Sequence, residues 1–250
     1  MSNLYSAELL KLGTLRSTLG FALVTLLFGG LVTAANIGGS PSDDRVDPGL
    51  QFRIPLDLAF PVSILALLMG IILVTNEFRH GTIARTLLAT PRRSRFVVVK
   101  LLAGATVGAF LLVASLVVAI VVAASWLGVL DVPLEWGEWG NGAWRALVAT
   151  TLAGVLGAAI GGAVHSQVGA LVGVLVWMFV LEPICWVLLG VFPYIDLEGV
   201  SEYLPAAALG GTVGSEGEGL SWARSVLVSL GWTALAAAIA FVRTNRRDVA

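Results

Sequence analysis

The chain has 250 residues, of which 57% are hydrophobic and 12% charged, against roughly half and a quarter in a soluble domain. That balance excludes an ordinary water-soluble globule and makes a bilayer the main solvent. Nucleic acid is not among the expected partners, although a net charge of −1 by itself says nothing of it, since what matters is how the charges are distributed. A single cysteine, Cys185, leaves no intrachain disulfide or thiolate metal cluster.

The first 17 residues carry "SNLYSAELLKLGTLRST". Helical spacing there puts Tyr5, Leu9 and Leu12 on one face with Glu8 and Lys11 turned away, as in a helix lying in the membrane interface. Apolar runs that meet the roughly 20 residues needed to cross hydrocarbon follow near 18–36, 57–75, 101–125, 146–164, 168–189 and 225–242. The first exceeds the apolar core of a signal peptide and has a long polar lead, so it reads as a permanent span. The expected fold class is therefore an all-α polytopic membrane protein with six spans in a single domain.

Charge sets the orientation. Lys11 and Arg16, then Arg79, Arg85, Arg92, Arg93, Arg95 and Lys100, then Arg243, Arg246 and Arg247 make eleven of the fifteen basic residues. The intervening segments hold only Arg45, Arg53, Arg145 and Arg224, beside many acids that include Asp43, Asp44, Asp57, Glu138, Glu202 and Glu216. The positive-inside rule then places both termini and residues 76–100 in the cytoplasm. Trp126, Trp136, Trp139, Trp144 and Trp222 fall near the outer boundary, as an aromatic belt would.

Residues 76–100, "NEFRHGTIARTLLATPRRSRFVVVK", would be basic as any inside loop is, and able to attract anionic headgroups. Their arrangement adds more. Thr82 can cap a short helix with Ile83, Leu87 and Leu88 along one edge. Thr90-Pro91 ends it, and Pro91 suits the first turn of a helix entering the third span. The spacing predicts a folded helix-turn element rather than a slack linker.

The amphipathic start with Glu8 and Lys11, the six spans, the inside sequence Glu77-Phe78-Arg79-His80-Gly81-Thr82 with Pro91 and Arg95, the segment "EYLPAAAL" from Glu202 to Leu209, and the ending Arg246-Arg247-Asp248 follow a familiar order. In these features the chain resembles the permease subunits of ATP-binding-cassette exporters of the ABC type-2 class. The resemblance implies that the first inside loop is a coupling helix docking on a separate ATPase. It implies that Glu77, Phe78, Arg79, Gly81, Thr82, Arg85, Pro91 and Arg95 form that joint. It also implies an assembly of two permeases, identical or sister, with two ATPase subunits in a bacterial inner membrane. ATP and Mg would sit on the partner, since no G-x-x-x-x-G-K-[ST] occurs and "GGTVGSEGEG" lacks the lysine of a phosphate loop. A further implication is a re-entrant-like outer segment over 190–221.

Glu182, in "LEPICW", lies deep in the fifth span, where a carboxylate costs roughly 2.5–3.5 kcal/mol. It reads as a substrate- or proton-interacting group, or as a hydrogen-bonded structural acid beside the Pro183 break. Glycine pairs 104/108, 157/161 and 169/173 have the spacing of close helix packing. His80 and His165 lack a second ligand at metal spacing. Without H-E-x-x-H, G-x-S-x-G or paired intramembrane aspartates, the sequence reads as no enzyme, with neither catalytic nor metal residues. The apolar spans are compatible with a drug, lipid, peptide or lipid-linked sugar as exported substrate. The competing reading is a non-transporting membrane anchor or sensor subunit for a cytoplasmic partner.

Overall fold

A computed structural model describes residues 5–8, 10, 16–41, 47–79, 93–191, 199–214 and 220–245. Six helices are long and apolar enough to cross a membrane, and no strand occurs among the described residues. The chain is thus an all-α polytopic membrane protein, as its apolar runs predict. Helix α1 is Arg16–Gly39, α2 Pro48–Arg79, α3 Arg93–Val129 and α4 Trp136–Val164. The fifth span is α5, Gln167–Val176, continued through a π-helical turn Trp177–Leu181 into α6, Glu182–Val191. A 3₁₀ turn, Val200–Tyr203, leads to the short α7, Pro205–Gly211, and the last span is α8, Trp222–Asn245.

The helices outrun the apolar stretches that announce them. At 1.5 Å per residue, the 37 residues of α3 reach about 55 Å, well beyond a hydrocarbon core of roughly 30 Å. Accordingly residues 76–79 still belong to α2, and residues 93–100 already belong to α3. The expected loop at 76–100 is helical at both ends. Arg53, Asp57, Glu138, Arg145 and Arg224, counted above with the outer segments, also lie within helices. A helix satisfies its own backbone and gains from continuing past the apolar run into the interface.

The core lies between α2 and α4, which make the most extensive interhelical packing. In each, 61% of the most apolar window is buried, against 6% for the fifth span. Glycine permits this approach. A Cβ on Gly157 would collide with the Leu67 carbonyl of α2, and one on Gly104 with the Gly154 carbonyl across the α3–α4 contact. Gly161 meets Ile71 and Gly108 meets Thr150, so two of the three glycine pairs serve helix packing. The third pair does not: Gly173 has open space beside it, and Gly169 touches only Ser166 and Val164 of its own turn.

With no water in hydrocarbon, buried hydroxyls turn to their own helices. Thr33 donates to the Gly29 carbonyl at 2.7 Å, Thr75 to Ile71 at 2.8 Å, Thr150 to Ala146 at 2.9 Å and Thr233 to Ser229 at 2.7 Å. At the end away from the basic cluster, the buried Gln51 amide donates to the Pro133 carbonyl at 2.9 Å and accepts from the Glu135 N–H at 2.8 Å. One side chain of α2 thereby fixes the α3–α4 connection. Trp126, Trp136 and Trp144 are exposed near this end, and Trp144 stacks at a tilt on Trp222. Trp139 departs from the expected belt, being buried among the core residues.

Candidate functional site

Where α2 ends and α3 begins, three charges meet out of solvent. The Lys100 ammonium lies 2.5 Å from Glu8 Oε2 and 2.8 Å from Glu77 Oε1, with the three side chains 4%, 3% and 7% exposed. Lys100 also sits 5.6 Å from the Phe96 ring centroid. Sequence explains the convergence: seven residues into an apolar helix, an ammonium needs local partners, and the carboxylates of Glu77 and Glu8 supply them. The Tyr5 hydroxyl lies 2.5 Å from Thr106 Oγ1. Because Thr106 spends its proton on the Leu102 carbonyl, at 2.9 Å, Tyr5 is the donor.

This corrects the reading of the N-terminal segment. The spacing puts Glu8 away from the face of Tyr5, on the polar side of an interfacial helix; instead it is buried in an ion pair with α3. The charges that join the segment to the bundle outweigh its amphipathic pattern. Lys100, counted above only as a basic residue, is the centre of the cluster. A lysine within an apolar run was the available signal, since such a group requires a counter-charge.

The neighbouring residues hold the same end together. Phe78 packs on His165 with ring centroids 4.4 Å apart, and Arg79 donates to Gln167 Oε1 at 3.2 Å. His165 stands in the left-handed region, φ 58°, between α4 and α5, and Ser166 caps α5 by accepting from the Gly169 N–H. Arg243 of α8 donates to the Ala163 carbonyl at 2.6 Å, satisfying an orphan acceptor at the end of α4. Arg95 is exposed on the first turn of α3. Gly81, Thr82, Arg85, Pro91 and His80 lie outside the described residues, as does the helix-turn expected there.

Glu182 occupies a second polar centre. Its Oε2 accepts from Trp177 Nε1 at 2.7 Å and from the Ala206 N–H at 3.1 Å, and its Oε1 accepts from the Ala207 N–H at 2.5 Å. Helix α7 needs this. Leu204, at its N-cap, has no side-chain acceptor, and Pro205 removes one N–H, leaving the next two donors without helical partners. Glu182 caps α7 from the facing helix. Pro183 follows at once and cannot donate, and the π-turn before it widens the helix where a proline ring would meet the preceding carbonyls. The carboxylate is thus hydrogen-bonded through both oxygens beside the Pro183 break.

Among the described residues no group of His, Cys, Asp or Glu is placed to hold a metal ion, and Cys185 is half-buried on α6. The fold and these two centres define a multi-pass helical membrane protein whose second and third spans, α2 and α3, are tied to an N-terminal segment. No family model matches the chain, and no curated protein matches it significantly.

Proposed function

We propose that the chain is the membrane permease subunit of an ATP-driven exporter, powered by a separate ATPase that docks at the basic end. The observation that carries this reading is the Glu8–Lys100–Glu77 cluster. It joins the N-terminal segment to the two helix ends that flank residues 80–92, where the resemblance to ABC type-2 permeases locates the coupling element. A partner pushing on that element would act on helices bound by buried ion pairs, and a tied element transmits displacement that a slack loop would absorb. Arg79 and Arg95, both exposed, would add charge to the docking face. Further support comes from the capped α7, which resembles the re-entrant outer helix of that class, and from the absence of a phosphate loop, which makes hydrolysis a partner's task. Six spans would be half of a twelve-span assembly, with the sparsely covered α1 and fifth span free to meet a second permease.

The test is co-purification of the chain from its native membrane with any nucleotide hydrolase bound to it, followed by ATPase assay of the complex in proteoliposomes. The reading requires a stable complex whose ATPase stimulation falls in Glu77→Ala and Gly81→Pro while membrane insertion persists. Recovery of the chain with no nucleotide hydrolase, or stimulation unaltered in both variants, defeats it and favours a plain membrane anchor.

A further inference from the structure

A cavity of about 290 Å³ lies at mid-depth between the fifth span and α8. Leu67 of α2 and Leu156 and Ile160 of α4 form its floor. Gly173, Val174, Trp177 and Met178 make one wall and Trp232, Leu235, Ala236 and Ile239 the other, while Pro205, Ala206 and Leu209 of the short helix close its end. The two walls make no substantial contact with each other, so the cavity separates two neighbouring spans. It opens sideways, where Leu235 and Ile239 remain partly exposed.

Its lining is apolar for an identifiable reason. The two indoles could each present a donor, but Trp177 gives its N–H to Glu182 and Trp232 gives its N–H to the Tyr203 carbonyl at 2.8 Å. Both rings therefore show the cavity hydrocarbon-like surface. An apolar void of this size forfeits dispersion contacts on every wall. Its volume is near the lower end of the roughly 300–1,000 Å³ of small-molecule sites. The slot opens to the side between two spans and is lined by hydrocarbon, so a thin flexible chain of the surrounding bilayer can enter it, and Met178 adds an adaptable wall.

We infer that this cavity is a lateral binding site for a single alkyl chain of a bilayer lipid, inserted between the fifth span and α8 beneath the short helix. The geometry supplies no polar group for recognition within the slot, so selection rests on chain shape and length, with the headgroup left outside. The inference stands apart from the proposed export function and survives or fails on its own.

The experiment uses the full chain in detergent-free liposomes of phosphatidylcholine bearing a diazirine near the middle of one acyl chain. Photolabelled positions are mapped by mass spectrometry. Labelling is expected to concentrate on Met178, Ala236 and Ile239, several-fold above the exposed Phe179 and Leu227. Ala236→Phe and Gly173→Phe, the latter with open space at its Cβ, should lower cavity labelling several-fold and leave Phe179 and Leu227 labelled as before. Equal labelling at cavity and outward positions in the unaltered chain overturns the inference even if a filled variant fails to fold. So does labelling indifferent to both substitutions, or a disulfide between Ala236→Cys residues of two copies in high yield, which would mean that protein covers the slot.

Discussion

Replacing Lys100 by methionine keeps the length of the side chain and removes the charge on which two carboxylates converge. Both accepting oxygens lie on one nitrogen, at 2.5 and 2.8 Å, so they are no more than about 5.3 Å apart. Two unit charges at that separation repel by about 3 kcal/mol at an effective dielectric near 20, and removing one partner of a buried pair costs about 3–5 kcal/mol by itself. The Tyr5 hydroxyl bond to Thr106, a further link of the N-terminal segment to α3, contributes about 1 kcal/mol. The cheapest relief is release of the segment carrying Glu8, since Glu77 is fixed within α2. Hydrogen exchange of the amides at residues 5–8, followed by mass spectrometry in liposomes, should accelerate by roughly a hundredfold for a 3 kcal/mol loss, while amides of α2 and α4 keep their protection. Converting all three members together, Glu8→Leu, Glu77→Leu and Lys100→Met, should restore much of the protection, because an apolar trio leaves no charge uncompensated. Unchanged exchange in Lys100→Met, or equal loss in the triple variant, would refute the claim that the ion pairs hold the segment.

Glu182→Leu leaves the Ala206 and Ala207 donors without acceptors in an apolar setting and should lower thermal stability by about 1–3 kcal/mol per group, with Glu182→Gln recovering part of it; a fluorescence melt reads both. Gly157→Leu forces a side chain into the Leu67 carbonyl and should destabilise by at least about 1–3 kcal/mol, whereas Gly173→Ala, facing open space, should be close to neutral in the same melt. Gln51→Leu removes both hydrogen bonds that hold residues 133–135; protease cleavage near Pro133 should then rise several-fold, and an unchanged cleavage rate would show that the connection is held by other contacts.

Much of this architecture is legible in the order of residues. Six apolar runs become six long helices because hydrocarbon leaves a backbone few alternatives, and glycines four apart at 104/108 and 157/161 become helix contacts. The same spacing at 169/173 packs nothing, since what decides a glycine contact is the helix opposite, and the fifth span has little opposite it. Glu182 is visible in the sequence as an expensive acid. Its partners are not, because the Ala206 and Ala207 donors are backbone groups 24 and 25 residues away and carry no side-chain signature.

By itself, then, the sequence determined solvent, span number and the distribution of charge between the two ends, all of which follow from local composition. Tertiary structure alone decided that Glu8 turns inward to Lys100 across 92 positions, that the Trp177 and Trp232 donors are consumed elsewhere, and that a slot stays open between the fifth span and α8. These depend on which distant groups meet, and pairing at long range is settled by satisfying buried charge and donors together, which no periodicity along the chain encodes.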